Sequence, residues 1–325
     1  MTTPGETPDG AEQRPAESLS LADPTVRTFA QLLLNVLLVS VINYTVWFAI
    51  TFFVYLETRS VFATGVIAGL FLLATVATGI WFGSLVDHHR KKTVMQVSAA
   101  ISLAAYGVGL AAYLATPDAA WRDAGSVRLW LFVLLMMSGT IAGNLRNIAL
   151  PTVVTSLFEA GRRDRANGLV GTVMGISFLV TSVISGLLVG WNGMLGVLVL
   201  ALLVVGIALV HLPFVRLPER LDHAAAEGEP RRVDLRGTIA VVASIPGMWA
   251  LIVFAAINNF LGGGFMALLD AYGLSMMSVQ AWGLVWGGLS ALMIVSGLLI
   301  ATTGLGANPV RTILVLNLAL WAATI

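Results

Sequence analysis

The sequence predicts an all-α protein that crosses a membrane several times. Hydrophobic residues make up 58% of the 325 residues, charged residues only 11%, and the mean hydropathy is +0.89. So few charges could not cover the surface of a water-soluble globule of this size. The apolar runs are continuous over about 20 residues, the length that an α-helix needs to cross the hydrocarbon core, whereas a β-barrel would show short alternating segments.

The composition divides the chain into four regions. Residues 1–25 contain many Pro, Glu, Gly and Ser and no apolar run, which predicts a disordered tail and not a cleaved signal peptide. Residues 26–213 hold six predicted membrane helices, residues 214–237 form a polar linker, and residues 238–325 hold about three more helices. The predicted helices cover residues 26–55, 61–86, 93–114, 127–153, 166–189, 194–213, 248–269, 279–302 and 309–325.

Six helices, a long polar linker and further helices form the layout expected of two six-helix halves joined by a cytoplasmic connection. The second half begins with an apolar stretch from Thr238 that Pro246 and Gly247 interrupt. Because the sequence ends inside an apolar run, we expect about three more helices beyond Ile325. The alternative is a protein of nine helices.

Lysine and arginine are distributed unevenly between the two sides of the predicted membrane. Of the 18, 14 lie in the tail and in alternate loops, three lie in the other loops (Arg59, Arg122 and Arg128), and Arg146 remains within a predicted helix. The positive-inside rule then places the amino terminus and the linker in the cytoplasm. We therefore predict a multi-pass protein of the inner or plasma membrane with a cytoplasmic N-terminus.

The most charge-dense short run connects the second and third predicted helices. From Gly83 it reads Gly-Ser-Leu-Val-Asp-His-His-Arg-Lys-Lys-Thr. A turn this short joins two antiparallel helices, where Gly83 permits close approach and Asp87 ends the first helix. The cation cluster of this turn consists of Arg90, Lys91 and Lys92.

This turn resembles the signature between helices two and three of the major facilitator superfamily, approximately Gly-x-Leu-x-Asp-Arg-x-Gly-Arg-Lys. His88 stands at the usual arginine, Arg90 stands at the usual second glycine, and Lys91 replaces an arginine. The alternative is a turn with only the cations common to cytoplasmic loops of membrane proteins. The positions that fit the signature are Gly83, Leu85, Asp87, Lys91 and Lys92.

A second resemblance follows the fourth predicted helix. Arg165, Ala166, Asn167 and Gly168 are similar to the Arg-Ala-Asn-Gly start of helix five in many exporters of this superfamily. The resemblance implies that these residues, Asp87 and the cation cluster form a cytoplasmic gate, with helix 11 of the other half as the partner of Asp87. The alternative is that Asn167 is an ordinary residue at a helix start and that the arginines only set topology.

The resemblance also implies a small-molecule site near mid-membrane between the halves, so polar residues inside helices are the candidates. Arg146 is expected to face the cavity or a polar network, or else to extend to the membrane surface. The asparagines could instead hold helices together by hydrogen bonds. The candidates are Asn35, Asn43, Tyr44, Asn144, Arg146, Asn147, Asn258 and Asn259.

Proton coupling usually needs a carboxylate within the membrane. Glu57 and Asp270 lie at the outer ends of their predicted helices and are the coupling candidates. Three alternatives remain open: one of them lines an outer vestibule, the carboxylate lies in further helices, or transport is not driven by protons. The Gly-Pro kink of drug–proton antiporters is missing from residues 181–186, so the sequence is compatible with antiport without indicating it.

These observations together predict a secondary transporter that exports small amphipathic or drug-like molecules by alternating access. The alternatives are an importer of a small metabolite in the same fold and a non-transporting sensor or partner subunit. The sequence has no cysteine, no spacing typical of metal ligands, no catalytic constellation and no nucleotide-binding glycine loop. We therefore predict no enzymatic activity, metal, cofactor or nucleic-acid partner; the resemblance implies a monomer.

Overall fold

Long helices account for nearly all of the structure. The computed structural model describes residues 20–215, 235–303 and 309–323, and these residues form helices without any strand, which confirms the predicted all-α membrane fold. The elements are α1 (Pro24–Thr58), α2 (Val61–His88), α3 (Lys91–Ala115), α4 (Asp118–Arg122), α5 (Val127–Leu157), α6 (Ala160–His211) with a 3₁₀ turn (Leu212–Phe214), α7 (Leu235–Ser244), α8 (Met248–Met276), α9 (Val279–Thr303) and α10 (Pro309–Ala323).

Six of the described segments are long and apolar enough to cross a membrane. They each contain a window of 18 residues with high hydropathy and few charges. These segments are Pro24–Thr58, Val61–His88, Lys91–Ala115, Val127–Leu157, Ala166–Phe214 and Met248–Met276.

Local capping signals explain where α1 begins and ends. The carboxylate of Asp23 accepts a hydrogen bond of 2.8 Å from the backbone N–H of Thr25, and Pro24 occupies the first helical position, where no N–H is needed. At the other end, Arg59 adopts the left-handed conformation with φ 54° and caps the last turn. Ser60 then caps the start of α2, so the two helices are joined by a two-residue turn.

The predicted helices match the observed ones apart from their bounds and from two short helices, α4 and α7, that are not among the predicted ones. The five-residue helix α4 was not predicted, because a segment this short has no periodicity to detect; it is held in place by buried Trp121. Helix α6 spans both predicted helices, 166–189 and 194–213, which the non-helical Gly193 separates as expected, and it begins earlier than predicted, at Ala160. Most of the predicted linker, residues 216–234, lies outside the described residues.

Gly193 divides α6 into two arms that fold back on each other. Its dihedral angles, φ 56° and ψ −144°, are not helical. Ala208 of the second arm contacts Asn35 of α1, and Thr181 of the first arm contacts Val41 of the same helix. A straight helix would separate Thr181 from Ala208 by roughly 40 Å, whereas their partners on α1 are about 9 Å apart. The chain therefore reverses at Gly193, between the predicted helices over 166–189 and 194–213.

The helix ends form two faces with different charge. One face carries the start of α1, the α2–α3 turn, the α5–α6 junction and the end of α6, which share one buried cluster. We call it the basic face because it carries Arg27, Arg90, Lys91, Lys92, Arg162 and Arg163. The opposite face carries the α1–α2 turn, α4, Gly193 and the α8–α9 turn, around a second and larger cluster.

Helix α9 packs against the first arm of α6 with almost no side chains between the backbones. A Cβ added to Gly186 would lie 2.7 Å from the carbonyl oxygen of Val279, and one added to Gly283 would lie 2.6 Å from that of Ser182. Small residues allow this approach, which is typical of membrane helices. We call this contact the glycine seam and define it by Gly186 and Gly190 of α6 and Gly283 and Gly287 of α9.

Replacing Gly193 with alanine is expected to destabilise the α6 hairpin. An L side chain is strained at φ 56° and ψ −144°, at a cost of about 1–3 kcal/mol. The measurement is the thermal unfolding midpoint of the detergent-purified protein. Gly206→Ala is the matched control, because a Cβ there meets open space within a helix. An unchanged midpoint for Gly193→Ala would contradict this account of the turn.

Candidate substrate cleft and gate

A cleft with polar walls lies between α1, α2 and α5. It has about 260 Å³ of empty space, including its open mouth. In this conformation the enclosed part of that space has room for about one water molecule. The lining residues are Ser40, Asn43, Tyr44, Trp47, Phe71, Thr140, Asn144 and Asn147.

The structure brings together four of the predicted cavity residues, Asn43, Tyr44, Asn144 and Asn147. Three amides and three hydroxyls supply hydrogen-bond donors and acceptors, and no charged side chain belongs to the lining. Trp47 stacks on Phe71 with their ring centroids 4.0 Å apart, which adds an aromatic surface. A cleft of this chemistry suits an uncharged molecule that has both hydrogen-bonding groups and an apolar face.

Contacts behind the cleft hold its amides in place. The hydroxyl of buried Tyr106 donates a 2.7 Å hydrogen bond to Asn43 Oδ1. Gly143 packs directly against the Asn43 side chain, where an added Cβ would lie 1.7 Å from Nδ2. On the other wall, Asn147 accepts a long hydrogen bond of 3.5 Å from Ser40. Gly143 and Tyr106 are therefore positioning residues for Asn43.

Sequence reasoning missed the other lining residues, although helical spacing held a signal for several. Ser40, Asn43 and Trp47 recur on α1 at intervals of three and four residues, and Thr140 precedes Asn144 by four on α5. A polar stripe at this spacing within an apolar helix marks one face. Phe71 had no such signal, because aromatic residues in a membrane helix face lipid or protein equally well.

Arg146 does not line the cleft; it is fully buried behind it. Its Nη1 donates to Asn35 Oδ1, and its Nη2 donates to the carbonyl oxygen of Met95 at 2.9 Å. Asn35 in turn donates to the carbonyl oxygen of Ala208 at 2.8 Å, and its Nδ2 lies 3.2 Å from Nδ1 of His211. One network therefore joins α1, α3, α5 and α6. Of the alternatives for Arg146, the structure shows the polar network.

The two candidates on α8 lie away from the cleft. Asn258 accepts a 3.0 Å hydrogen bond from the indole Nε1 of Trp321 on α10. Asn259 is exposed and donates to the carbonyl oxygen of Ala255 one turn earlier. Their role in binding substrate stays a prediction.

In the α2–α3 turn, two of the cations cap neighbouring helix ends. Lys91 Nζ donates to the carbonyl oxygen of Val86 in the last turn of α2. Lys92 Nζ donates to the carbonyl oxygens of Pro213 and Val215, at 2.8 and 2.9 Å, just after α6. Cations are favourable at these ends because the helix dipole is negative there.

The remaining residues of the predicted gate differ in exposure. A Cβ on Gly83 would meet no atom within 4 Å, so the close helix approach predicted at Gly83 is not present in this conformation. Asp87 and Arg90 are exposed, and Asn167 is exposed near the start of α6. The Arg165 side chain lies outside the described part of the chain.

The neighbouring arginines tie the α5–α6 junction to the rest of the basic face. Arg163 donates to the carbonyl oxygens of Phe158 and Thr155, both at 2.8 Å, at the end of α5. Arg162 pairs with Asp23 at 3.0 Å. The N–H of Thr25 and the Arg162 guanidinium hold the pKa of Asp23 below its usual range.

The two predicted coupling candidates have different surroundings. Glu57 is partly exposed on the opposite face and lies 3.8 Å from Arg122, an ion pair of a kind that contributes little. Asp270 is buried, with 8% of its surface exposed, and accepts hydrogen bonds from two tryptophans. Within the described residues, Asp270 is therefore the candidate removed from water.

Replacing Arg146 with methionine is expected to lower the thermal unfolding midpoint. The substitution keeps a long side chain but leaves Asn35 and the Met95 carbonyl without their donor, at a cost of about 1–3 kcal/mol for each abandoned acceptor. Arg128→Met, at an exposed position, is the control. Equal midpoints for the two variants would show that the network does not stabilise the fold.

The effect of Asp23→Asn on stability is expected to depend on pH. Because the folded-state pKa of Asp23 is lowered, its stabilising effect is fully present above the unfolded value, about 3.9, and is lost as pH falls through the folded value. Asparagine keeps the helix cap but not the charge. The unfolding midpoints of the two proteins should differ at pH 7 and converge below about pH 4. A difference that is the same at both pH values would contradict the ion pair.

Comparison with known proteins agrees with the signature of the α2–α3 turn. A family model described as Major Facilitator Superfamily matches residues 32–325, from α1 to the last residue. No curated protein and no solved structure matches the chain significantly. Because the family match covers far more than half of the sequence, this chain belongs to the major facilitator superfamily of membrane transporters.

Proposed function

We propose that this protein exports small, uncharged amphipathic molecules by alternating access, with the cleft between α1, α2 and α5 as part of the substrate site. The observation that supports this most directly is the cleft lining, which combines three amides with stacked aromatic rings and contains no charged side chain. Apolar surface with a few placed polar groups is typical of small-molecule sites. Because the family moves substrates, we propose transport and not catalysis.

The orientation of the proposal follows from charge. The basic face carries the α2–α3 cations and the arginines of the α5–α6 junction, so we assign it to the cytoplasm by the positive-inside rule. The opposite face then lies outside an inner or plasma membrane. In this orientation the glycine seam lies towards the outer side, and we propose that it closes that side in this conformation.

We also propose that the basic-face signature gates the inner side. Lys91 and Lys92 are engaged with helix ends of their own half, whereas the carboxylate of Asp87 is exposed. An exposed carboxylate at the end of α2 is available to a positively polarised helix start in the other half when the inner side closes. We assign Arg90, Arg165 and Asn167 to this gate as well.

Import of a small metabolite is the second candidate, and one observation favours it. Three amides in one cleft, Asn43, Asn144 and Asn147, match a substrate with several hydroxyl groups as well as an amphipathic one. The two candidates differ in the direction of net movement, which the transport assay measures.

We propose that the protein acts as a monomer and that the exchange of protons for substrate drives transport.

Cells that express the full-length protein are expected to accumulate less Nile red, an uncharged fluorescent dye, than cells without it. Asn147→Ala should weaken this export by about two- to tenfold, the value of one hydrogen bond to the substrate. Asn192→Ala, at an exposed position outside the cleft, is the control and should export normally. A protonophore should abolish export, and Asp87→Asn should impair it through the gate.

The assay also distinguishes the alternatives. Unchanged dye levels, with the protein present in the membrane, would contradict the export of amphipathic molecules. Increased accumulation would indicate import. Equal export of the cation ethidium, with no effect of Asn147→Ala, would show that the uncharged cleft does not select the substrate.

A further inference from the structure

Asp270 lies on α8 near the opposite face and is held by two tryptophans of α9. The indole Nε1 of Trp282 donates to Asp270 Oδ1 at 2.9 Å, and that of Trp286 donates to the same oxygen at 2.8 Å. Gly273, one turn further along α8, leaves room for the Trp282 ring, because an added Cβ would lie 2.3 Å from it. The α8–α9 hairpin is thus built around this carboxylate.

Trp286 also connects the second half of the chain to the first. Its ring packs edge-on against Phe48 of α1 at 5.5 Å and against Phe178 of α6 at 6.2 Å. It lies on α9 between Gly283 and Gly287, two members of the glycine seam. The ring that Asp270 orients is therefore the large side chain at the contact that closes the opposite face.

Among the described residues no cation pairs with Asp270, and the two indoles are its hydrogen-bond donors. On the packed elements, Glu57 of α1 pairs with Arg122, and Tyr44 of α1 contacts Phe178. Among the described side chains of α2 and α6, the charged and titratable groups lie at the basic face: Asp87 and His88 on α2, and Arg162, Arg163 and His211 on α6. Helix α9 carries none, and Tyr272 on α8 is exposed.

We propose that Asp270 is a proton-controlled lock on the opposite face: its carboxylate fixes Trp286 against Phe48 and Phe178, and proton uptake releases Trp286 and opens the glycine seam. Hydrogen bonds to an ionised carboxylate are roughly twice as strong as those to a neutral acceptor. A proton removes the cost of a buried charge and at the same time weakens both indole bonds. The two charge states of Asp270 therefore favour different arrangements of the seam.

This inference rests on the proposed transport cycle and assigns the control of its outer gate to a residue. A proton that Asp270 takes up from the outer solution favours the outward-open state, in which substrate leaves. When the proton returns to the outer solution, the indole bonds form again and the seam closes. Asp270 therefore sets how readily the outer gate opens at a given external pH, is a positioning residue for the Trp286 ring, and leaves substrate binding to the cleft.

The absence of cysteine from the sequence makes a direct test possible. A single cysteine replaces Ser182, a buried residue of α6 whose carbonyl faces Gly283 of the seam, and a membrane-impermeant maleimide is added outside intact cells. Labelling is normalised to Ala119→Cys, which is exposed on α4, to correct for the reactivity of the thiol at each pH. With Asp270 present, normalised labelling should rise at least about fivefold as the external pH falls from 8 to 5.

The variants define which result supports the lock. Asp270→Asn mimics the protonated acid, so labelling of this variant should be high and independent of pH. Trp286→Phe removes the indole donor and should also raise labelling. Trp249→Phe is the control, at an exposed tryptophan on α8, and should leave labelling unchanged. Labelling that follows pH equally with Asp270 and with asparagine there would overturn the proposal. Failure of Nile red export with intact Asp270-dependent labelling would reject the substrate class alone, and export without such labelling would reject the lock alone.

Discussion

The hydrogen bonds of Arg146 are the interaction on which the first half of the molecule depends. A guanidinium inside a membrane helix is tolerated only where other groups replace its water, and here the groups come from α1 and α3. Asn35 extends the network to α6. Because Asn144 and Asn147 lie within two residues of Arg146 on α5, the network that anchors this arginine also sets the rotation of α5 and the direction of the cleft amides.

The signature cations have a structural role beyond membrane orientation. Lys91, Lys92 and Arg163 each donate to carbonyl oxygens at the end of a helix, on α2, α6 and α5 respectively. Those carbonyls have no partner within their own helices, and in a membrane protein unsatisfied backbone groups are costly. The same positive charges therefore complete the helix ends of the basic face and leave Asp87 as an exposed acid among them.

The two parts of the chain meet through contacts of contrasting kinds. The glycine seam brings the backbones of α6 and α9 together at Gly186 and Gly283, and Gln280 and Val183 pack their side chains onto Gly190 and Gly287. Trp286, by contrast, fills the space between α1, α6 and α9 with a rigid ring held by a carboxylate. Close backbone packing beside a hydrogen-bonded ring gives this contact a defined geometry.

The sequence itself determined most of the architecture, because the signals that set it are local. These signals are the apolar runs of about 20 residues, caps such as Asp23 and Ser60, and the turn at Gly193. The partners of the polar residues were decided only by the tertiary structure. Asn43 and Asn147 meet in a cleft, whereas Asn258 reaches α10 and Asp270 reaches two indoles. These helices are apolar on all sides, so periodicity does not reveal which side faces protein, and helix rotation is set by packing.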